Sequence, residues 1–80
     1  MEEREIENLI GSIDLEYNYL GARISNVSYY DGVLKLTVNN PDRASEYDFE
    51  DIALDVLGNS IRSVEAHEYD DYMVEVLIHY

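Results

Sequence analysis

Leu20-Gly21-Ala22-Arg23-Ile24-Ser25-Asn26-Val27 returns further along the chain as Leu57-Gly58-Asn59-Ser60-Ile61-Arg62-Ser63-Val64, with Leu, Gly, Ile and Val coinciding at an offset of 37. Asp14-Leu15 meets Asp51-Ile52 at the same offset, and Leu34, Leu36 and Val38 meet Val74, Val76 and Ile78 at an offset of 40. An order of elements that repeats together with matched residues reads as duplication of one unit. The first copy spans about residues 3–38 and the second about 46–80, joined by a linker at 39–45, in a single domain covering 1–80. The three extra residues of the second copy are expected at its hairpin turn.

Each copy reads as helix, strand, strand. Ile6, Leu9, Ile10, Ile13, Tyr17 and Leu20 form one apolar stripe at helical spacing through residues 3–20, ending at Gly21. Gly11 and Ser12 lie inside the stripe, where glycine costs about 1 kcal/mol against alanine, and the stripe is read as one unbroken helix. Phe49, Ile52, Ala53, Val56 and Leu57 define a second helix, with Asp48 as its expected N-cap and Gly58 at its left-handed C-terminal position. Asp31-Gly32 is a dipeptide favoured in two-residue hairpin loops, and it sets Val27 against Leu36 and Tyr29 against Leu34. For the second hairpin a three-residue loop over Tyr69-Asp70-Asp71 is expected. It sets Val64 against Val76, Ala66 against Val74 and, on the opposite face, Glu65 against Glu75. The fold class is then α+β: a duplicated α-β-β unit (αββαββ), with two helices packed on one face of a four-stranded, mainly antiparallel sheet. The pattern leaves strand order open.

Eighteen acids against five bases give a net charge of -13 at pH 7. Such a field repels phosphate backbones, so no direct nucleic-acid contact is expected, while basic proteins and divalent cations are attracted. Residues 1–40 hold seven acids and three bases, and residues 41–80 hold eleven and two, so a cationic partner is expected on the second half. There is no cysteine, hence no disulfide or thiolate metal site. The opening residues MEEREIENLI lack the basic start of a secretory signal, and no apolar run approaches the roughly 20 residues of a membrane span. A cytoplasmic location without membrane contact is expected. No glycine-rich phosphate loop, HExxH motif, cysteine nucleophile or Ser/His/Asp order is present, so no catalytic residue, cofactor or metal is expected.

Asp48, Asp51 and Asp55 recur at i, i+3 and i+7 with Glu50 beside them, a row able to imitate the spacing of backbone phosphates. The helix macrodipole accounts for Asp48 and Asp51 near the N-terminus but not for Asp55. A Glu65–Glu75 pair across the sheet would cost a few tenths to about 1 kcal/mol, which a cation or an Arg/Lys partner would relieve. His67-Glu68-Tyr69-Asp70-Asp71 gathers oxygen and nitrogen ligands in one turn but lacks the alternate acids, glycine and closing glutamate of an EF-hand loop. His67 and His79 are expected too far apart to share zinc. Eight tyrosines accompany a single phenylalanine. Tyr17 and Tyr29 are read as core, whereas Tyr30, Tyr69, Tyr72 and Tyr80 fall at turns or the chain end, where exposed rings suit stacking on arginine.

These features point to a non-enzymatic acidic interaction protein that occupies the basic groove of a nucleic-acid-binding protein. The expected contact residues are Glu50, Asp51, Asp55, Glu65, Glu68, Asp70, Asp71 and Glu75, with Tyr69 and Tyr72 stacking on partner arginines. In size and composition the chain resembles phage-encoded DNA-mimic inhibitors, a class that includes anti-CRISPR proteins and inhibitors of uracil-DNA glycosylase; the resemblance rests on composition and covers no motif. Two alternatives are a small structural protein whose acidity is a high-salt adaptation, and a weak divalent-cation-binding module at residues 67–72. A homodimer through an edge strand is also considered, because the terminal Val74–Tyr80 segment is long, apolar and unpunctuated.

Overall fold

A computed structural model describes residues 3–80. Helix α1 (Glu3–Asn18) is followed by strands β1 (Arg23–Tyr30) and β2 (Val33–Asn39); helix α2 (Glu46–Leu57) runs into a 3₁₀ turn (Gly58–Ser60), then β3 (Ser63–Asp70) and β4 (Met73–His79). This is the duplicated α-β-β unit, with α1 unbroken at Gly11. The strands form one sheet in the order β1-β2-β4-β3, and every pairing is antiparallel. Both helices cover the same face. Strand β4 therefore lies inside the sheet, and the terminal segment is no edge: its alternating apolar residues are explained by neighbours on both sides and helices above. The edges are β1 and β3.

The two copies meet where β2 pairs with β4. Leu36 faces Val76, Leu34 faces Ile78 and Val38 faces Val74, and all six are buried. At an offset of 40, Leu36 and Val76 are equivalent positions, so a pseudo-twofold axis passes between them. Above the sheet, Tyr17 meets Phe49 edge to face, with ring centroids 4.8 Å apart and planes at 86°. The Tyr17 hydroxyl donates to the Phe49 carbonyl at 2.9 Å, tying α1 to α2. Burial pushes the Tyr17 pKa up, because a phenolate there would lose its hydration.

Strand spans of the two copies correspond at an offset of 40 throughout, so the three extra residues of the second copy lie between Gly58 and β3, in and after the 3₁₀ turn, and not at the hairpin. The first hairpin pairs Val27 with Leu36 and Tyr29 with Leu34, as its sequence implies. The second differs from expectation. Its loop is the two-residue Asp71-Tyr72, the ladder slips at Tyr69, and Val64 faces Ile78 while Ala66 faces Val76. Glu65 faces Leu77, not Glu75. Turn chemistry explains the change. Asp31 and Gly32 take φ of 45° and 76°, the primed geometry that matches strand twist. Asp71-Tyr72 has no glycine and neither residue takes a positive φ, so a bulge at Tyr69 absorbs the mismatch.

Helix α2 starts three residues earlier than expected. Ser45, not Asp48, is the N-cap, its hydroxyl accepting from the Tyr47 N–H at 3.3 Å. Buried Asn40 fixes the preceding loop, its side-chain amide both donating to and accepting from the Ala44 backbone at 2.9 Å. Tyr80, placed by its sequence position where full burial is difficult, packs half-buried against the core, and its N–H donates to the Gly32 carbonyl at 3.1 Å.

Candidate protein-binding surface

At one end of the molecule the linker, the start of α2 and the β3–β4 turn converge. The Asn40 N–H donates to the Tyr72 carbonyl at 2.7 Å, the Glu68 N–H donates to the Glu46 carboxylate at 3.0 Å, and the Arg43 guanidinium pairs with Glu68 at 3.5 Å. These contacts bring Glu46, Asp48, Glu68, Asp70 and Asp71 to one end, with Arg43 paired to Glu68 among them; the Asp42 carboxyl lies instead against Gly21 of the α1–β1 loop. Tyr47, Tyr69 and Tyr72 belong to the same three segments and are 67, 52 and 56 % exposed. Each of these rings leaves half or more of its surface to solvent. They remain available to stack on a cation.

From this end α2 extends the acidic surface in two directions. Glu46 and Glu50, one helical turn apart, reach to β3: Glu50 accepts from the Ala66 N–H at 3.0 Å, as Glu46 does from Glu68. They satisfy outward amides of the edge strand, so Glu50 serves the fold. Asp48, Asp51 and Asp55 are exposed elsewhere on the helix. Asp55 stands in the last turn, where unpaired carbonyls disfavour a carboxylate, and Glu16 occupies the last turn of α1. Neither turn carries a base.

The open face of the sheet has a different character. Glu75 pairs with Lys35 at 3.4 Å. Glu65 contacts His79 Nε2 at 2.8 Å and His67 Nε2 at 3.6 Å, so the two histidines that were expected far apart flank one carboxylate. A hydrogen bond with His79 holds the Glu65 carboxyl below its usual range against desolvation, which pushes the other way, and the charges of His79 and His67 when protonated add to the lowering. Acids on this face have local cationic or histidine partners.

Of the residues expected to bind a partner, Glu68, Tyr69, Asp70, Asp71 and Tyr72 are brought together at the acidic end, and Asp51 and Asp55 continue from it along α2. Glu50 is engaged as an edge cap. Glu65 and Glu75 lie on the open sheet face, apart from the helical layer that carries Asp51 and Asp55. Sequence reading missed Glu46 and Tyr47. The i, i+4 spacing of Glu46 and Glu50 was the available signal, hidden by setting the helix start at Asp48.

Among the described residues no group of three or more His, Asp or Glu is disposed to hold a metal ion, and no helix is long and apolar enough to cross a membrane. Fold and surface together define a small two-layer αββαββ protein with a tyrosine-bearing acidic end. Comparison with protein-family models, curated proteins and solved structures found no match.

Proposed function

We propose that this protein acts by binding and not by catalysis, and that its acidic end and the adjoining side of α2 occupy the basic, nucleic-acid-binding groove of another protein. Carboxylates stand there where phosphates would lie. The observation that carries this reading is the exposure of Tyr47, Tyr69 and Tyr72 among the carboxylates of Glu46, Asp48, Glu68, Asp70 and Asp71. Solubility alone calls for charge but not for bare aromatic rings, whereas an arginine-rich groove is served by both, through charge-assisted hydrogen bonds and stacking. Asp55 supports the same reading, since it has no ion-pair partner among the described residues and opposes its helix dipole.

The test is affinity capture from a lysate of the source organism at about 50 mM and about 500 mM salt, where screening differs strongly. The expected result is one basic nucleic-acid-binding protein, retained at low salt, lost at high salt and displaced by its own DNA or RNA. No specific partner at either salt, with unfolding in dilute buffer and recovery in molar KCl, would point to salt adaptation instead.

A further inference from the structure

The two edges of the sheet are guarded unequally. On β3 the outward amides of Ala66 and Glu68 donate to Glu50 and Glu46 of α2. On β1 the Ile24 amide is held likewise, by Asp14 of α1 at 2.8 Å. One turn before Asp14, however, α1 presents Ile10 and no second carboxylate. Val27 stands to Leu36 as Ala66 does to Val76 about the pseudo-twofold axis, so its amide also points out of the sheet. No side chain among the described residues covers it.

Beside that amide runs a groove of about 410 Å³, walled by Ile10, Gly11 and Asp14 on α1 and by Ile24–Val27 on β1. Gly11 is the one glycine of four without a positive φ, and a Cβ there would meet nothing within 4 Å. Neither turn geometry nor crowding calls for glycine at this helical position. Its effect is to leave the helix wall of the groove bare to the backbone. The β1 sequence RISNVSYY contains no acid, whereas SVEAHEYD of β3 contains three.

We propose that the β1 edge and the α1–β1 groove receive an extended basic segment of a partner protein as a fifth strand. Its backbone pairs at Val27, an apolar side chain enters the groove against Ile10 and Gly11, and a Lys or Arg beside it meets Asp14. Charge selects this occupant over a second copy: Asp14 lines the groove, and -13 on each chain opposes self-pairing. The site lies on the sheet edge opposite β3 and does not depend on the function proposed for the acidic end.

The test is amide NMR of the full chain titrated with the peptide Ac-KVTVKV-NH2, with Ac-EVTVEV-NH2 as control. Shifts confined to residues 10–14 and 24–30, slowed exchange of the Val27 amide, and a Kd at or below about 1 mM for the basic peptide alone are expected. Gly11→Leu fills the groove and improves the helix, so its thermal midpoint rises while affinity falls at least about tenfold. The proposal is overturned by absence of shifts, equal response to both peptides, shifts centred on β3, or undiminished binding by Gly11→Leu. Dimerisation of the chain through β1 in sedimentation equilibrium would also overturn it, making the occupant a second copy.

Discussion

Tyr17 combines two roles that substitutions can separate. Its ring fills the space between the helices and its hydroxyl satisfies the Phe49 carbonyl. Tyr17→Phe keeps the ring and is expected to cost about 1 kcal/mol in urea unfolding, the net worth of one hydrogen bond. Tyr17→Ala is expected to cost about 3–5 kcal/mol, a large share of what so small a domain has. Glu65 gives a prediction in pH. Its folded pKa is lowered, so the stability it contributes is complete above the ordinary glutamate value and is lost as pH falls through the lower folded value. His79→Gln removes the main cause, and carbon-13 NMR should show the Glu65 titration moving up toward its ordinary range; an unmoved titration would contradict the contact. Tyr17 was legible as core from the apolar stripe alone. The Glu65–His79 contact was not, because it depends on a register that moved by two residues. A two-residue shift preserves parity, so the buried faces survive and only cross-strand partners change.

Among the elements, α2 and β3 act as one unit through Glu46 and Glu50. Glu50→Ala should uncover the Ala66 amide, costing about 1–2 kcal/mol and speeding its hydrogen exchange, while amides of central β4 exchange at rates set by global opening. Unchanged Ala66 exchange would mean that the carboxylate does not cap the edge. In α1, Gly11→Ala should stabilise by about 0.5–1 kcal/mol in the same unfolding assay, since the site is open and helical. Periodicity and Asp31-Gly32 made both helices and the first hairpin legible. The start of α2 was misplaced because Ser45 and Asp48 are both capping residues, and only the turn closed by Asn40 selects between them. Edge capping was beyond reading, as it requires knowing that β3 lies outermost and beneath α2.

The whole molecule has a pseudo-twofold backbone and a charge distribution that does not follow it. Residues 41–80 hold eleven acids and two bases, the excess visible in composition, yet only the fold separates the acids of the β3–β4 tip and α2 from those paired on the open sheet face. The fold class was legible because duplication and alternation are local patterns. Grouping of the site was legible only in part, since Glu65 and Glu75 share a sequence region with Asp70 and Asp71 but face Lys35 and the two histidines. If the exposed carboxylates serve a partner and not the fold, removing them should leave stability intact. The most direct test is capture from the source lysate at about 50 mM salt by the wild-type chain and by the Asp51→Asn/Asp55→Asn/Asp71→Asn variant. The expected result is a variant that unfolds at the same or a higher temperature and retains less than about a tenth of the basic partner held by the wild type. Equal capture by the two chains, or a variant that no longer folds, would contradict it.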